Sequence, residues 1–274
     1  MRRLKNIFLS AVRVIYGAAC HRINFIQSTN SKNMTTLILK KTTLLFSLLC
    51  AVLIFQSCDS FCVKSTGDDL TLNFDETNFH GLDLCVPANV EVRVDSVFKV
   101  EITGEESAMP YLRTEVNNGI LQIRFSRNVY DVDHMKIVVS APAWHFFEVS
   151  GSGKVQVLDA ISGNELRMEV SGSGEIKAVD ADFNNAKLEV SGSGNLELSG
   201  IADELRAEIS GSGDVNCLDF PVKSASLEVS GSGRMKVNIS DALDAEITGS
   251  GDIDYTGNPQ VTVEITGSGK LRKI

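Results

Sequence analysis

Leu205-Arg206-Ala207-Glu208-Ile209-Ser210-Gly211-Ser212-Gly213-Asp214-Val215-Asn216-Cys217 decides the architecture. Before the glycines, Leu205, Ala207 and Ile209 alternate with Arg206 and Glu208; after them, Val215 and Cys217 alternate with Asp214 and Asn216. Period two with one apolar face is the mark of a half-buried β-strand. The unit Glu-[Val/Ile]-[Ser/Thr]-Gly-Ser-Gly recurs seven times, with its Ser/Thr at Ser150, Ser171, Ser191, Ser210, Ser230, Thr248 and Thr266. The spacings are 21, 20, 19, 20, 18 and 18 residues, and self-similarity at such a period is the signature of a repeat architecture.

Strands recurring at this period form either a meander of hairpins or a coil whose equivalent strands stack in parallel. A meander needs turns at a spacing of about 8–12 residues. Here one side of each unit is a fixed Ser-Gly-Ser-Gly corner. The other side varies in length and composition, as in 158–164, 179–185 and 199–204. A solenoid accommodates both, because the repeated corner stacks on itself while the opposite loops vary. The fold class expected is therefore all-β: a single-stranded parallel β-helix of about 20 residues per coil. Its structural turns are Gly151 and Gly153, Gly172 and Gly174, Gly192 and Gly194, Gly211 and Gly213, Gly231 and Gly233, Gly249 and Gly251, and Gly267 and Gly269.

Outward from the seven coils of 148–274, residues 71–147 read as irregular N-terminal coils or a cap. Leu82–Val92 aligns with the repeat, with Cys85–Ala88 replacing the glycine corner. Val100–Gly104 and Glu115–Leu121 are partial matches of the same kind. At the far end, Lys270, Arg272 and Lys273 put charge on the last strand, a guard against end-to-end stacking.

Composition divides the 274 residues at position 57. Residues 1–57 hold eight Lys/Arg and no acid; the remainder holds 18 basic and 35 acidic residues, hence −17. A body this acidic argues against nucleic acid and bare anionic membrane as partners. Leu44–Phe55 is too short to span a bilayer but fits the apolar core of a secretory signal, with Lys40 and Lys41 ahead of it. Translation from Met34 gives a signal of ordinary length. Residues 1–33 are open to two readings, an organellar transit peptide or an over-extended start; the complete export signal that follows favours the second. The signal ends in Leu53-Ile54-Phe55-Gln56-Ser57-Cys58, which resembles a bacterial lipobox with Cys58 lipidated. Residues 1–57 are then the leader and 58–70 a lipid-anchored tether, so the protein is anchored to a membrane rather than spanning it. Beyond Cys58 remain Cys62, Cys85 and Cys217; no spacing suits zinc, and Cys217 falls on an inward-facing position as a small buried hydrophobe.

From Phe74 to Leu271 the chain resembles the "putative auto-transporter adhesin, head GIN domain" family of bacterial envelope proteins. The resemblance rests on Phe74-Asp75 with Phe79-His80-Gly81-Leu82, on Thr114–Ile123, and on the Ser-Gly-Ser-Gly ladder from Ser150. It implies a right-handed β-helix similar to pectin lyases without their catalytic residues, and a role in adhesion.

Chemistry is sparse in the residues themselves. Gly151–Lys154 and Gly267–Lys270 lack the spacing and following helix of a phosphate loop. Asp214 and Asp252 are two coils apart with Arg234 between them, poorly placed for glycoside hydrolysis. His80, His134 and His145 lie without a nucleophile signature, and Asp131 and Asp133 share a loop-like stretch. Trp144-His145-Phe146-Phe147 reads as core at the cap junction rather than a sugar platform. Glu148, Glu169, Glu189, Glu208, Glu228, Glu246 and Glu264 form one outward column of like charge, which Arg167, Lys187 and Arg206 neutralise in the middle. The alternative is a divalent-cation strip at Glu228, Glu246 and Glu264. The expectation is a non-catalytic outer-membrane lipoprotein without cofactor, on the cell surface rather than the periplasmic face, serving as adhesin or scaffold. Its expected partners are the membrane, through Cys58, and a surface glycan or a host- or neighbour-cell protein, with homo-oligomers left open. The competing expectation is a polysaccharide-binding or polysaccharide-degrading module.

Overall fold

The computed structural model describes residues 62–274. The leader, the Met34 start and Cys58 lie outside the described residues. The elements, in chain order, begin with β1 (Val63–Lys64), β2 (Asp69–Phe74), β3 (Gly81–Leu84), β4 (Asn89–Val94) and β5 (Lys99–Glu105). A 3-10 turn at Met109–Tyr111 leads to β6 (Leu112–Asn117), β7 (Ile120–Phe125), β8 (Val129–Tyr130) and β9 (Lys136–Ala141). The repeat follows as β10 (Phe146–Gly151), β11 (Lys154–Val157), β12 (Ile161–Gly172), β13 (Glu175–Gly192), β14 (Asn195–Gly211), β15 (Asp214–Gly231) and β16 (Arg234–Gly249). It ends in β17 (Asp252–Thr256), β18 (Gln260–Gly267) and β19 (Lys270–Lys273).

The parallel β-solenoid expected from the repeat is what forms. Each coil pairs in parallel with the next, so Leu205 lies beside Ala186 and Ala225, and Ile209 beside Val190 and Val229. Burial shows why about 20 residues make one turn. In β15 the inward row runs Val215, Cys217, then Phe220, Val222, then Ala225, Leu227, Val229. The two-residue period slips at Leu218–Asp219 and at Lys223–Ser224, and those slips together with the glycine corner divide the coil into three sides. Apolar side chains from all three sides fill one continuous core.

At the fixed corner the two glycines of each unit do different work. Gly211 adopts φ +134°, a conformation that costs any residue with a Cβ. Gly213 points inward, and a Cβ there would lie 2.4 Å from the Gly194 carbonyl oxygen and 2.5 Å from Val190 Cγ1. The intervening serine donates its amide to the layer before: Ser212 N to Gly192 O at 2.7 Å, Ser232 N to Gly211 O at 2.8 Å. The corner is thus a hydrogen-bonded backbone ladder with no room for a side chain at Gly211 or Gly213.

The N-terminal portion departs from the expected series of degraded coils. Leu82–Val92 is a true layer: β3 pairs with β10 and β4 with β11, both in parallel. The coil built from β7 and β9 stacks on its other side, although it follows in sequence. The layer order is therefore β7/β9, β3/β4, β10/β11. The two partial matches are not coils. Val100–Gly104 lies in β5, which runs antiparallel to both β2 and β9. Glu115–Leu121 is a hairpin, β6 against β7, turning at Asn118 and Gly119 with φ +52° and +78°. Positive φ at both central residues is the hairpin turn that Asn-Gly favours, so the dipeptide was the signal for it. Antiparallel strands end the parallel stack here and consume its open edge. Within the stretch expected as a tether, Val63–Lys64 already pairs with β8, so ordered packing begins ahead of residue 71.

At the other end no layer among the described residues covers β18. Its inward row of Val261, Val263 and Ile265 is 36%, 45% and 42% exposed. Arg272 on the terminal strand bonds Asp252 and Asp254, and Lys273 bonds Asn258.

Candidate functional site

The outward residues of the side ahead of the glycine corner form columns one layer spacing apart. Parallel register places Glu148, Glu169, Glu189, Glu208, Glu228, Glu246 and Glu264 in a single row, as expected. The row is longer than the repeat reveals. Asp83 extends it beyond Glu148, and Gln122 ends it, donating Nε2 to Asp83 Oδ2 at 3.1 Å. Arg167 bonds Glu169 and reaches Glu189 at 3.9 Å, and Lys187 bonds Glu189. Arg206, expected to neutralise the column too, forms no ion pair among the described residues. Glu228, Glu246 and Glu264 are aligned and exposed. Among the described residues no group of three or more His, Cys, Asp or Glu is gathered into a metal cage.

Like charges one layer apart leave a mark at Glu148. Its pKa is raised by burial first, then by Asp83 and Glu169. The folded protein therefore keeps this proton at a pH where the unfolded chain has lost it. Stability is present below the ordinary carboxylate range and falls as pH rises through the raised native value. Glu148→Gln is expected to raise the melting temperature at pH 7 and to leave it unchanged below about pH 3, where both states are protonated. An equal or lower melting temperature at pH 7 would show that the column is not repulsive there.

The side after the corner carries mixed charge instead. Lys154, Glu175, Asn195, Asp214, Arg234, Asp252 and Lys270 stack in one column. Lys154 bonds Glu175 at 3.1 Å, Lys177 bonds Glu197 at 2.8 Å, and Arg272 bonds Asp252 at 2.8 Å. Arg234 lies between Asp214 and Asp252 as the spacing predicts. The side ahead of the corner thus carries an aligned row of carboxylates and the side after it carries mixed charge, a distinction set by which residue type recurs at each repeat position.

Beside the acidic row runs a groove of 730 Å³ along β12 to β18. Ser224, Ser226 and Ala242 contribute short side chains to its lining, together with Glu204, Arg206 and Asp244, which form no ion pair among the described residues. A smaller cavity of 380 Å³ is lined by His80, His145, Asn164, Glu165 and Arg167. His80 and His145 are brought together by the layer order, with ring centroids 5.8 Å apart. Burial, then His80, lowers the pKa of His145. His134 is exposed on the loop after β8, with Asp131 bonded to Lys64 at 3.0 Å.

Of the aromatic run, Trp144 and Phe147 are fully buried in the core as expected, whereas His145 and Phe146 are half-buried. Cys217 is buried among the inward rows and its thiol is pushed up to about 12 by desolvation. Cys85 is pushed up to about 11, by burial and then by its contact with Asp83. Neither thiol favours the reactive thiolate form.

The described residues thus form a parallel β-solenoid with an antiparallel cap. The sequence matches the family described as "Putative auto-transporter adhesin, head GIN domain" over residues 78–259. The chain belongs to that adhesin family of surface or exported proteins. No curated protein matches it. Among solved structures it is similar to a "putative adhesin" from Bacteroides fragilis, 19% identical with a TM-score of 0.73, covering 77% of this chain and 100% of that one. It is also similar to a "putative lipid binding protein" from Parabacteroides distasonis, 24% identical with a TM-score of 0.67, covering 78% and 99%. A third, a "putative adhesin" from Parabacteroides merdae, is 19% identical with a TM-score of 0.62, covering 78% and 100%. At these identities the likeness is one of fold.

Proposed function

We propose that the chain is a non-catalytic cell-envelope lipoprotein, anchored through Cys58, whose solenoid presents its acidic face as an adhesin or surface scaffold. The observation that carries this reading is the unbroken carboxylate row from Asp83 to Glu264. Among the described residues most of its members form no ion pair, so the row retains a strong field for a basic or cation-bridged partner. Protease shaving of intact cells tests it, with Cys58→Ala as the anchoring control. Digestion of the wild-type body while a periplasmic marker survives is the expected result. Protection until the outer membrane is opened would end the adhesin reading and leave a periplasmic scaffold.

The groove beside the acidic row supports a second reading, a binding site for surface polysaccharide. Unpaired Glu204, Arg206 and Asp244 with the Ser224 and Ser226 hydroxyls offer donors and acceptors along several layers. Retention on a polysaccharide panel without release of reducing ends would favour this module. Release of reducing ends would make it an enzyme.

A further inference from the structure

We infer that the uncovered last layer of the solenoid is a docking surface for a second copy of this chain, with the two β18 strands pairing antiparallel about a twofold axis at Val263. Among the described residues β18 pairs only with β16 and β19 only with β17, so both present a free edge. The inward row of that layer, Val261, Val263 and Ile265, is exposed, whereas its counterparts one layer back, Leu243, Ala245 and Ile247, are buried. A strand edge backed by an open apolar row is a template for another strand.

The backbone is set for that pairing. Arg167 N donates to His145 O of the preceding layer, and Thr262 stands in the same column as Arg167. Peptide groups alternate in direction along a strand. Thr262 and Glu264 therefore bond back to β16, while Val261, Val263 and Ile265 turn their N–H and C=O to the free edge. Side-chain chemistry then selects the register. With Val263 facing its copy, Val261 meets Ile265, Thr262 meets Glu264, and Gln260 meets Thr266. Apolar lies opposite apolar and no like charges meet. An axis at Glu264 would set two carboxylates face to face. An axis at Thr262 would put Pro259, which has no N–H, opposite Ile265.

Closure points to a second copy as the occupant. Antiparallel β5 and β6 end the stack at the other end, so copies cannot add head to tail, whereas a twofold contact closes at two. Each turn climbs one layer, which leaves β19 a step ahead of β18 and the side at 256–259 a step behind, where Thr256 lies beside Asn238. A twofold axis normal to β18 exchanges these two sides. Each β19 then covers the partner's 256–259, and the ladder spacing of ~4.8 Å holds around the whole turn. Lys270, Arg272 and Lys273, expected as a guard against stacking, do not bar the edge. Arg272 bonds Asp252 and Asp254, and Lys273 bonds Asn258, all in the layer behind. Ser65 bonds Glu105 of β5, so the chain enters the solenoid at its capped end, and paired copies keep those ends apart. On the adhesin reading, on which this consequence rests, the pairing joins rods anchored to facing envelopes.

The test is analytical sedimentation of the full chain carrying Cys58→Ala in mild detergent, so that neither lipid nor the apolar leader joins copies. A face of one layer is smaller than a standard interface, so monomer should give way to dimer between about 1 and 500 µM. Val263→Lys sets two charges at the shared axis and is expected to weaken pairing at least about 100-fold. Its monomer should melt near the wild-type temperature, because Val263 is 45% exposed there. Thr262→Lys faces Glu264 of the other copy twice and should tighten the dimer roughly 2–10-fold in low salt. Thr262→Glu should weaken it by a similar factor. The readout needs no cells, so pairing and surface exposure can fail separately. Wild type monomeric up to about 500 µM, as cover by residues 1–61 would produce, would overturn the proposal. Unaltered pairing in Val263→Lys, equal effects of the two Thr262 variants, or assembly that grows beyond dimers would overturn it as well.

Discussion

Gly211→Ala is expected to destabilise the solenoid by roughly 2–6 kcal/mol, and Gly151→Ala by only about 1–3 kcal/mol. Both glycines hold positive φ, +134° and +118°, so both substitutions carry backbone strain. They differ in what the new methyl group meets. At Gly211 it lies 2.3 Å from the Gly192 carbonyl oxygen of the layer before, whereas at Gly151 nothing lies within 4 Å. Gly151 opens onto the coil whose corner is Cys85–Ala88 rather than glycine, and Lys154 N reaches Ala88 O instead. Gly211 has a tight corner on each side, since a Cβ at Gly231 would in turn lie 2.3 Å from Gly211 O. Relief would require separating layers that share corner hydrogen bonds along the stack. Denaturant unfolding followed by circular dichroism measures the difference. Equal losses would mean that backbone conformation alone, and not layer spacing, demands glycine there. In a stack held by nearest-neighbour interfaces, a mid-rod lesion could also split the transition in two, which the unfolding curve would show.

Trp144→Ala is expected to cost about 3–5 kcal/mol, the range for emptying a large aromatic site in a packed core. Trp144 is completely buried, stacks on Phe147 with centroids 5.6 Å apart, and lies 5.6 Å from Phe79, which meets Phe98 edge-on at 5.0 Å. Its Nε1 donates to Arg93 O at 2.8 Å, joining the end of β4 to the start of the repeat. Trp144→Phe should retain most of the packing and lose that bond, at a cost of about 1–3 kcal/mol for the carbonyl left without its donor. Trp144 is the sole tryptophan, so its fluorescence reports this junction in the wild type. Coincidence of the fluorescence and circular dichroism transitions would show that cap and rod unfold together. A loss below about 1 kcal/mol for Trp144→Ala would show that the cap closes the stack without sharing its stability.

The sequence alone determined the rod. The alternation of Leu205, Ala207 and Ile209 with Arg206 and Glu208 fixes which face is buried, and the 18–21-residue spacing of the glycine corners fixes the length of a coil. Once corners stack, in-register pairing of Glu208 with Glu189 and Glu228 follows, because a one-residue slip would turn the apolar row outward. The acidic column was therefore legible in a repeated glutamate, and the burial of Cys217 in its parity. What tertiary structure decided is which edges meet where repetition fails. Nothing local in Leu82–Val92 says that it lies between the β7/β9 coil and the β10/β11 coil, because a strand edge accepts any neighbour with a compatible register. That choice adds Asp83 to the carboxylate row and turns β5 antiparallel. It also sets His80 beside His145, a juxtaposition no spacing of histidines in the chain discloses. Hydrophobic alternation specifies the face of a strand, whereas the partner across the ladder is set by how the whole cap closes over the first exposed layer.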